Sequence, residues 1–241
     1  MGSRSAFVQN NLALLGFSPD LAVFSAVKEL LDNANDSRAT QIILRVSALG
    51  SGTDADPRGV LIDCSDDGCG IPPGAAVHLA AGIFASSKAP AAGGAAPEAG
   101  VGDLDASPLH VGGSLGQHGV GLKALLLAAQ ASLVVAGEPA LARAPMLLRS
   151  GGAVWRLGID AARDAAVAQR LGSAMAPGGE DASGEGGSSL RAAASAAAAA
   201  MLVDADARGT RVVVAMGGAL TAANLATGGA RFTLRMRLRG V

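Results

Sequence analysis

The chain has 241 residues, half of them hydrophobic but only 2% aromatic, and a formal net charge of −1. That length supports a sizeable aliphatic core in one or two domains, and the near-neutral charge excludes a global field drawing the protein to nucleic acid or membrane. Two cysteines, Cys64 and Cys69, exclude a disulfide framework, lack companions for a zinc site and read as reduced thiols. The opening MGSRSA is followed by no apolar run, so no signal peptide is expected, and the apolar stretches are too short or too interrupted for a membrane span.

In chain order, residues 5–15 predict a short helix capped by Gly16. Ser18, as N-cap, and Pro19, in the first turn, predict the start of a second helix that fades near Ser37 and Arg38. This helix organises the reading, because Glu29, Asn33 and Asp36 recur at i, i+4 and i+7 on one face, with Asp32 beside them. Val23, Val27, Leu30, Leu31 and Ala34 form an apolar stripe opposite. Carboxylate and carboxamide oxygens in such a row suit a hard divalent cation and an activated water; the plain alternative is an acidic surface helix.

Residues 41–47 and 59–65 predict strands joined by a polar connection. The second strand runs into Asp66-Asp67-Gly68-Cys69-Gly70. There the two glycines permit a close backbone approach or a sharp turn, and Asp66 can accept a hydrogen bond from an exocyclic amine. An ordinary Asp-Gly turn is the alternative.

A helix is expected over 74–83, then an Ala/Gly/Pro-rich, lid-like stretch over 85–115. Gly116-x-x-Gly119-x-Gly121 then opens an apolar helix over 122–131, and bare amides at a helix N-terminus form an anion site. Neither a Walker A loop nor a Rossmann fingerprint is present. Lys123 is close enough in sequence to reach a phosphate but reads as a solvated lysine, and His78 and His110 acquire no role.

Strands are expected at 132–136, 144–149, 153–159 and 210–216. Between the last two, residues 161–207 read as a disordered, low-complexity insert ending in a short alanine-driven helix. The tail 231–239 alternates apolar with basic residues, as an exposed strand does.

These motifs, in this order, resemble those of the GHKL ATPases. Within that family the chain is most similar to the B subunit of type IIB topoisomerase, topoisomerase VI. The resemblance rests on the lead-in FVQNNLALLGFSPDLAVFSAVKELLDNANDS, on Ala85-Ser86-Ser87-Lys88, on LGQHGVGL from Leu115 and on Arg208-Gly209-Thr210-Arg211-Val212. It covers roughly residues 5–135 and 208–217.

The resemblance implies a two-layer α+β sandwich, a mixed sheet with helices on one face (the Bergerat fold), whose motif elements surround one pocket on the helical side. Residues 1–160 and 208–241 would form the ATP-binding domain around the 161–207 insert. Glu29 would be the general base and Asn33 the Mg²⁺ ligand, with Asp36 a structural partner. Asp66 would bind adenine, assisted by Thr210, while Gly68 and Gly70 would let the nucleotide approach the backbone. Ser87 and Lys88 would belong to the element before the lid, and Gly116, Gln117, His118, Gly119, Val120 and Gly121 would hold the phosphates.

The implied cofactors are ATP and Mg²⁺. The implied partners are a second copy in an ATP-dependent homodimer, a DNA-cleaving subunit of topoisomerase VI A type and DNA engaged through the larger assembly, for strand passage or meiotic-type break formation in the nucleus or the cytoplasm. The family usually has Ala where Ser37 stands, and the helix-two-turn-helix module, transducer domain and γ-phosphate lysine of a complete B subunit are missing from the sequence up to Val241, so a fragment, a truncated gene model or a divergent paralogue is expected. A MutL-type or gyrase B-type ATPase, or a non-hydrolysing scaffold of the same fold, are the alternatives.

Overall fold

The computed structural model describes residues 4–18, 21–51, 53, 58–72, 75, 120–172, 188–218 and 231–237; at 231–234 and 237 the description is of the backbone alone. Helix α1 (Arg4–Asn10) is followed by a 3₁₀ turn, Leu12–Leu15. The expected single helix is thus broken at Asn11, whose side-chain amide donates back to the Phe7 carbonyl. Gly16 ends the turn in the left-handed region at φ 86, a backbone conformation that suits a residue without Cβ.

Helix α2 spans Ala22–Asp36. Its N-cap is Leu21 rather than Ser18, and Pro19 lies outside the described residues. Ala26, Leu30 and Ala34, one turn apart, are buried, and Val23, Val27 and Leu31 pack beside them. The apolar stripe legible in the sequence is therefore the face that meets the core.

Strands β1 (Gln41–Leu49) and β2 (Gly59–Asp66) form an antiparallel pair. Helix α3 then runs from Gly121 to Val135, absorbing the strand expected at 132–136. Seven consecutive residues of this helix, 123–129, are buried, and a helix apolar on nearly every side is an interior one. The short helix α4 (Pro139–Ala142) leads to β3 (Met146–Ser150), β4 (Ala153–Asp160) and β5 (Ala165–Leu171). Helix α5 (Ser189–Val203), β6 (Thr210–Gly217) and β7 (Arg231–Arg237) complete the order.

Among the described residues seven strands join one sheet in the order β5-β4-β3-β6-β2-β1-β7. Every pairing among the described residues is antiparallel, so the described sheet is not the mixed one expected. Its period-2 alternation divides two cores. Ile62, Met146, Leu148, Val212 and Val214 face α2 and α3. Leu147 and Val213 point the other way, onto Ala198 and Met201 of α5. The helices therefore cover both faces rather than one.

While 173–187 lie outside the described residues, the described parts of 161–207 differ from the disordered insert expected there. They contain β5 and a fifteen-residue helix whose Leu190, Ala194, Ala198 and Met201 are buried at helical spacing. Ser188 caps that helix by accepting from the Arg191 amide, and Leu190 packs so closely on Gly59 that a Cβ there would lie 2.5 Å from Leu190 Cδ2. A run of alanines reads as low complexity, but it also lets a helix approach a sheet closely. No helix among the described residues is long and apolar enough to cross a membrane.

Candidate functional site

Helix α2 links two clusters. At its middle, Glu29 projects toward the first residue of α3: a Cβ built on Gly121 would lie 1.7 Å from Glu29 Oε2 and 2.5 Å from its Cδ. The glycine at 121 therefore makes room for a carboxylate at the head of the helix that follows the glycine-rich sequence. Burial is the main cause that raises the Glu29 carboxyl above its ordinary range, opposed by Lys28, whose Nζ lies 3.6 Å from Oε1. Lys28 also pairs with Asp32 at 2.8 Å, so Asp32 belongs to a surface ion pair.

Eight residues further on, at ~1.5 Å per residue or roughly 12 Å along the axis, the end of α2 meets the loop after β2. Ser37, its C-cap, donates from Oγ to the Ala34 carbonyl at 2.7 Å and to Asp66 Oδ1 at 3.3 Å. The amides of Gly68 at 2.9 Å and Thr210 at 3.4 Å converge on the same oxygen. Burial raises the Asp66 carboxyl, and these three donors offset part of the shift. None of them uses Oδ2, so Asp66 is held in place through one oxygen while the second takes none of these bonds.

The loop glycines have separate reasons. A Cβ at Gly68 would fall 2.0 Å from Ser37 Oγ and 2.7 Å from the Ser37 carbonyl, so Gly68 lets the loop close on the end of α2. Gly70 has φ +71 and lies beside Ser150 Oγ and the Gly209 carbonyl. Asp67 accepts from the Thr40 amide and hydroxyl and from the Gln41 amide, which together hold its carboxyl below the ordinary range. That contact ties the loop to the start of β1.

Ser150 is a site residue that the sequence does not reveal. Fully buried at the end of β3, it accepts from the Ile71 amide at 2.7 Å and lies 3.4 Å from Thr210 Oγ1. Its Arg-Ser-Gly-Gly context reads only as a hairpin corner. Ser37, whose contacts with Asp66 and Gly68 the sequence does not reveal, is a second. Lys123 corrects an expectation: it is buried on α3 rather than solvated, and burial pushes its ammonium down to about 8.

A cavity of about 680 Å³ opens at the Asp66 end, lined among others by Gly70, Ile71, Pro72, Gly151, Gly152 and Gly209. Gly70 and Gly209 bring it near the Asp66–Thr210 contact, but none of Asp66, Thr210, Glu29 and Gly121 lines it. Among the described residues the motif elements form two clusters along α2, one at Glu29 and Gly121 and one at Ser37 and Asp66. Val120 is the N-cap of α3. Ser87, Lys88, Gly116, Gln117, His118 and Gly119 lie outside the described residues, as do the 85–115 stretch and, save Ala75, the helix expected over 74–83.

Asn33 is exposed one turn beyond Glu29, and Asp36 is half-buried at the next position of the same face. Among the described residues no three His, Cys, Asp or Glu side chains gather as a metal cage. A lone carboxamide suits Mg²⁺, which retains water and takes most of its other ligands from phosphates. No protein-family model matches the chain, and no curated protein matches it significantly.

Proposed function

We propose that the chain is an ATP-binding module of the GHKL type that hydrolyses ATP with Glu29 as general base, and that it acts as part of a topoisomerase VI B-like protein. The observation that carries this reading is the two-ended arrangement on α2: a half-buried carboxylate against the head of α3, and a second carboxylate held by one oxygen near the helix's far end. The two ends are about two turns apart, a separation suited to an extended nucleoside triphosphate.

In this reading Asp66 Oδ2 accepts from the exocyclic amine of adenine, while Ser37, Gly68 and Thr210 fix the carboxylate through Oδ1. Thr210 is itself positioned by Ser150. The amides leading into α3 receive the phosphates. Glu29, its proton affinity raised by burial, orients a water and takes its proton as the terminal phosphoryl group is displaced. Asn33 offers an oxygen to Mg²⁺, which when bound neutralises charge on the phosphates. DNA strand passage or break formation, a homodimer and a cleavage subunit belong to the larger assembly implied by the resemblance.

Two substitutions test the division of labour. Glu29→Ala is expected to leave ATP affinity within a few-fold and to lower turnover by ~10²-fold or more. Asn33→Ala is expected to remove the Mg²⁺-dependent part of the affinity. Calorimetry with and without Mg²⁺, beside steady-state phosphate release, separates the two. Equal losses of binding in both variants would refute the roles.

A further inference from the structure

At the end of β3 stands a buried cation that the nucleotide reading does not use. Arg149 is 4% exposed. It shares the face of Leu147, toward α5, while Ser150 beside it bonds within the Asp66 end of the site. Arg149 Nη1 donates to the carbonyl of Asp204 at 3.0 Å and to that of Ala207 at 2.9 Å. Asp204 is the C-cap of α5, and its carbonyl also accepts from the Ala207 amide at 3.0 Å. The guanidinium thus closes the turn in which the helix ends. Burial first, and the neighbouring Arg211 second, pull it below its ordinary range, opposed by Asp204, Asp66 and Asp63. Its Nε is buried with no hydrogen-bond partner among the described residues.

A leucine or methionine at 149 would avoid the cost of burying a charge, but would leave the Asp204 and Ala207 carbonyls without this donor. What the charge holds is the approach to β6. Three residues past Ala207, Thr210 gives its amide to Asp66 Oδ1. Gly209, at φ +82, comes so close that a Cβ there would lie 1.9 Å from the Asp66 carbonyl oxygen. The register sets Arg149 against Arg211 and Ser150 against Thr210, so consecutive residues of β3 hold the turn and the residue it delivers. The same turn, with Asp206 and Arg208, walls the cavity at that end. We propose that Arg149 is a positioning residue for the Asp66 acceptor: by fixing the 204–209 turn it delivers the Thr210 amide to Oδ1, aims Oδ2, and so sets affinity and base selectivity at the adenine end without touching the nucleotide. This role presupposes the nucleotide reading. Two directed bonds from one planar NH₂ suit a guanidinium, whereas lysine supplies a point charge.

The full chain is compared with Arg149→Gln, Arg149→Lys and Arg191→Gln. Arg191, through Glu138, ties down the other end of α5, so its variant reports what loosening the helix alone does. Without nucleotide, amide exchange at Ala207 and Thr210 should quicken about tenfold or more in Arg149→Gln, but not at Ala198 within α5, and not in Arg191→Gln. Calorimetry with non-hydrolysable ATP and GTP analogues should show ATP-analogue binding weakened about tenfold, the lower end for one hydrogen bond to a charged group, and GTP-analogue binding within about twofold of the parent, so the preference narrows. In steady-state phosphate release KM should rise while kcat stays within about twofold, because Glu29 acts at the other cluster of α2. Arg149→Lys should fall between the parent and Arg149→Gln on each measure, and it carries the test if Arg149→Gln does not fold. Equal effects of Arg149→Gln and Arg191→Gln, or unchanged Thr210 exchange in a chain whose parent binds nucleotide, would overturn the positioning role alone. No binding of either analogue by the parent would overturn the nucleotide reading and this role with it.

Discussion

Gly121→Ala probes the contact on which the catalytic reading depends. The new Cβ would stand 1.7 Å from Glu29 Oε2, 2.5 Å from Cδ and 3.3 Å from Oε1. Ordinary contact is near ~3.5 Å, so the carboxylate must withdraw by ~1.5 Å or more. The obstructing atoms are the far end of a flexible side chain, and Gly121 is not in the left-handed region, so the fold can adjust. Alanine in a helix is favoured over glycine, and the variant should be as stable as the parent or up to about 1 kcal/mol more stable. A general base misplaced by an ångström or more costs on the order of 10²-fold in turnover. The assay pairs urea unfolding with steady-state phosphate release in the single variants and in the Glu29→Ala double. If the methyl acts by displacing Glu29, Gly121→Ala adds no further loss once Glu29 is alanine. Undiminished hydrolysis in the stable single variant, or full additivity in the double, would refute the placement of Glu29.

Other consequences follow from burial. With Lys123 pushed down to about 8 from 10.5, the unfolded chain binds more protons across that window, so the parent should gain stability as pH rises through it. Relative to Lys123→Met the gain is at most roughly 3 kcal/mol, read from unfolding curves at several pH values. Burial raises the Glu29 carboxyl, so its ionisation opposes folding: Glu29→Gln should stabilise the chain at neutral pH and lose that advantage as pH falls below the ordinary glutamate range. Leu190→Ala should cost about 2–5 kcal/mol, because this helix is core; a negligible cost in urea unfolding would mean that 161–207 is dispensable after all.

Where a residue pattern maps directly onto burial, the sequence was legible. The 3.6-residue stripe of α2, the left-handed cap at Gly16 and the alternating strand at 231–237 all lie where periodicity places them. Composition misled where small residues carry tertiary structure. Ala198 and Met201 of α5 pack into the second core while Leu190 meets Gly59, and the Val134–Val135 end of α3 is exposed helix although it reads as strand. Strand direction and helix side depend on long-range pairing, which local pattern does not encode, so the antiparallel sheet with helices on both faces was not foreseen. At the candidate site, chemistry and spacing single out Glu29 and Asp66, and the structure places them in two clusters along α2. Ser37 and Ser150 are not singled out, because their value lies in contacts with residues 29 and 60 or more positions away.

The central proposal, that Asp66 accepts from adenine through the oxygen not used by Ser37, Gly68 and Thr210, is tested most directly by calorimetric titration of the chain and of Asp66→Asn with a non-hydrolysable ATP analogue. Asparagine can keep its carbonyl oxygen toward Gly68, Thr210 and Ser37 while presenting an NH₂ where an acceptor is required. The parent should bind, and the variant should bind ten- to a hundredfold more weakly, the equivalent of about 1.5–3 kcal/mol for one charge-assisted hydrogen bond. No binding by the parent, or equal affinity in the variant, would contradict the account and leave Asp66 as a turn residue.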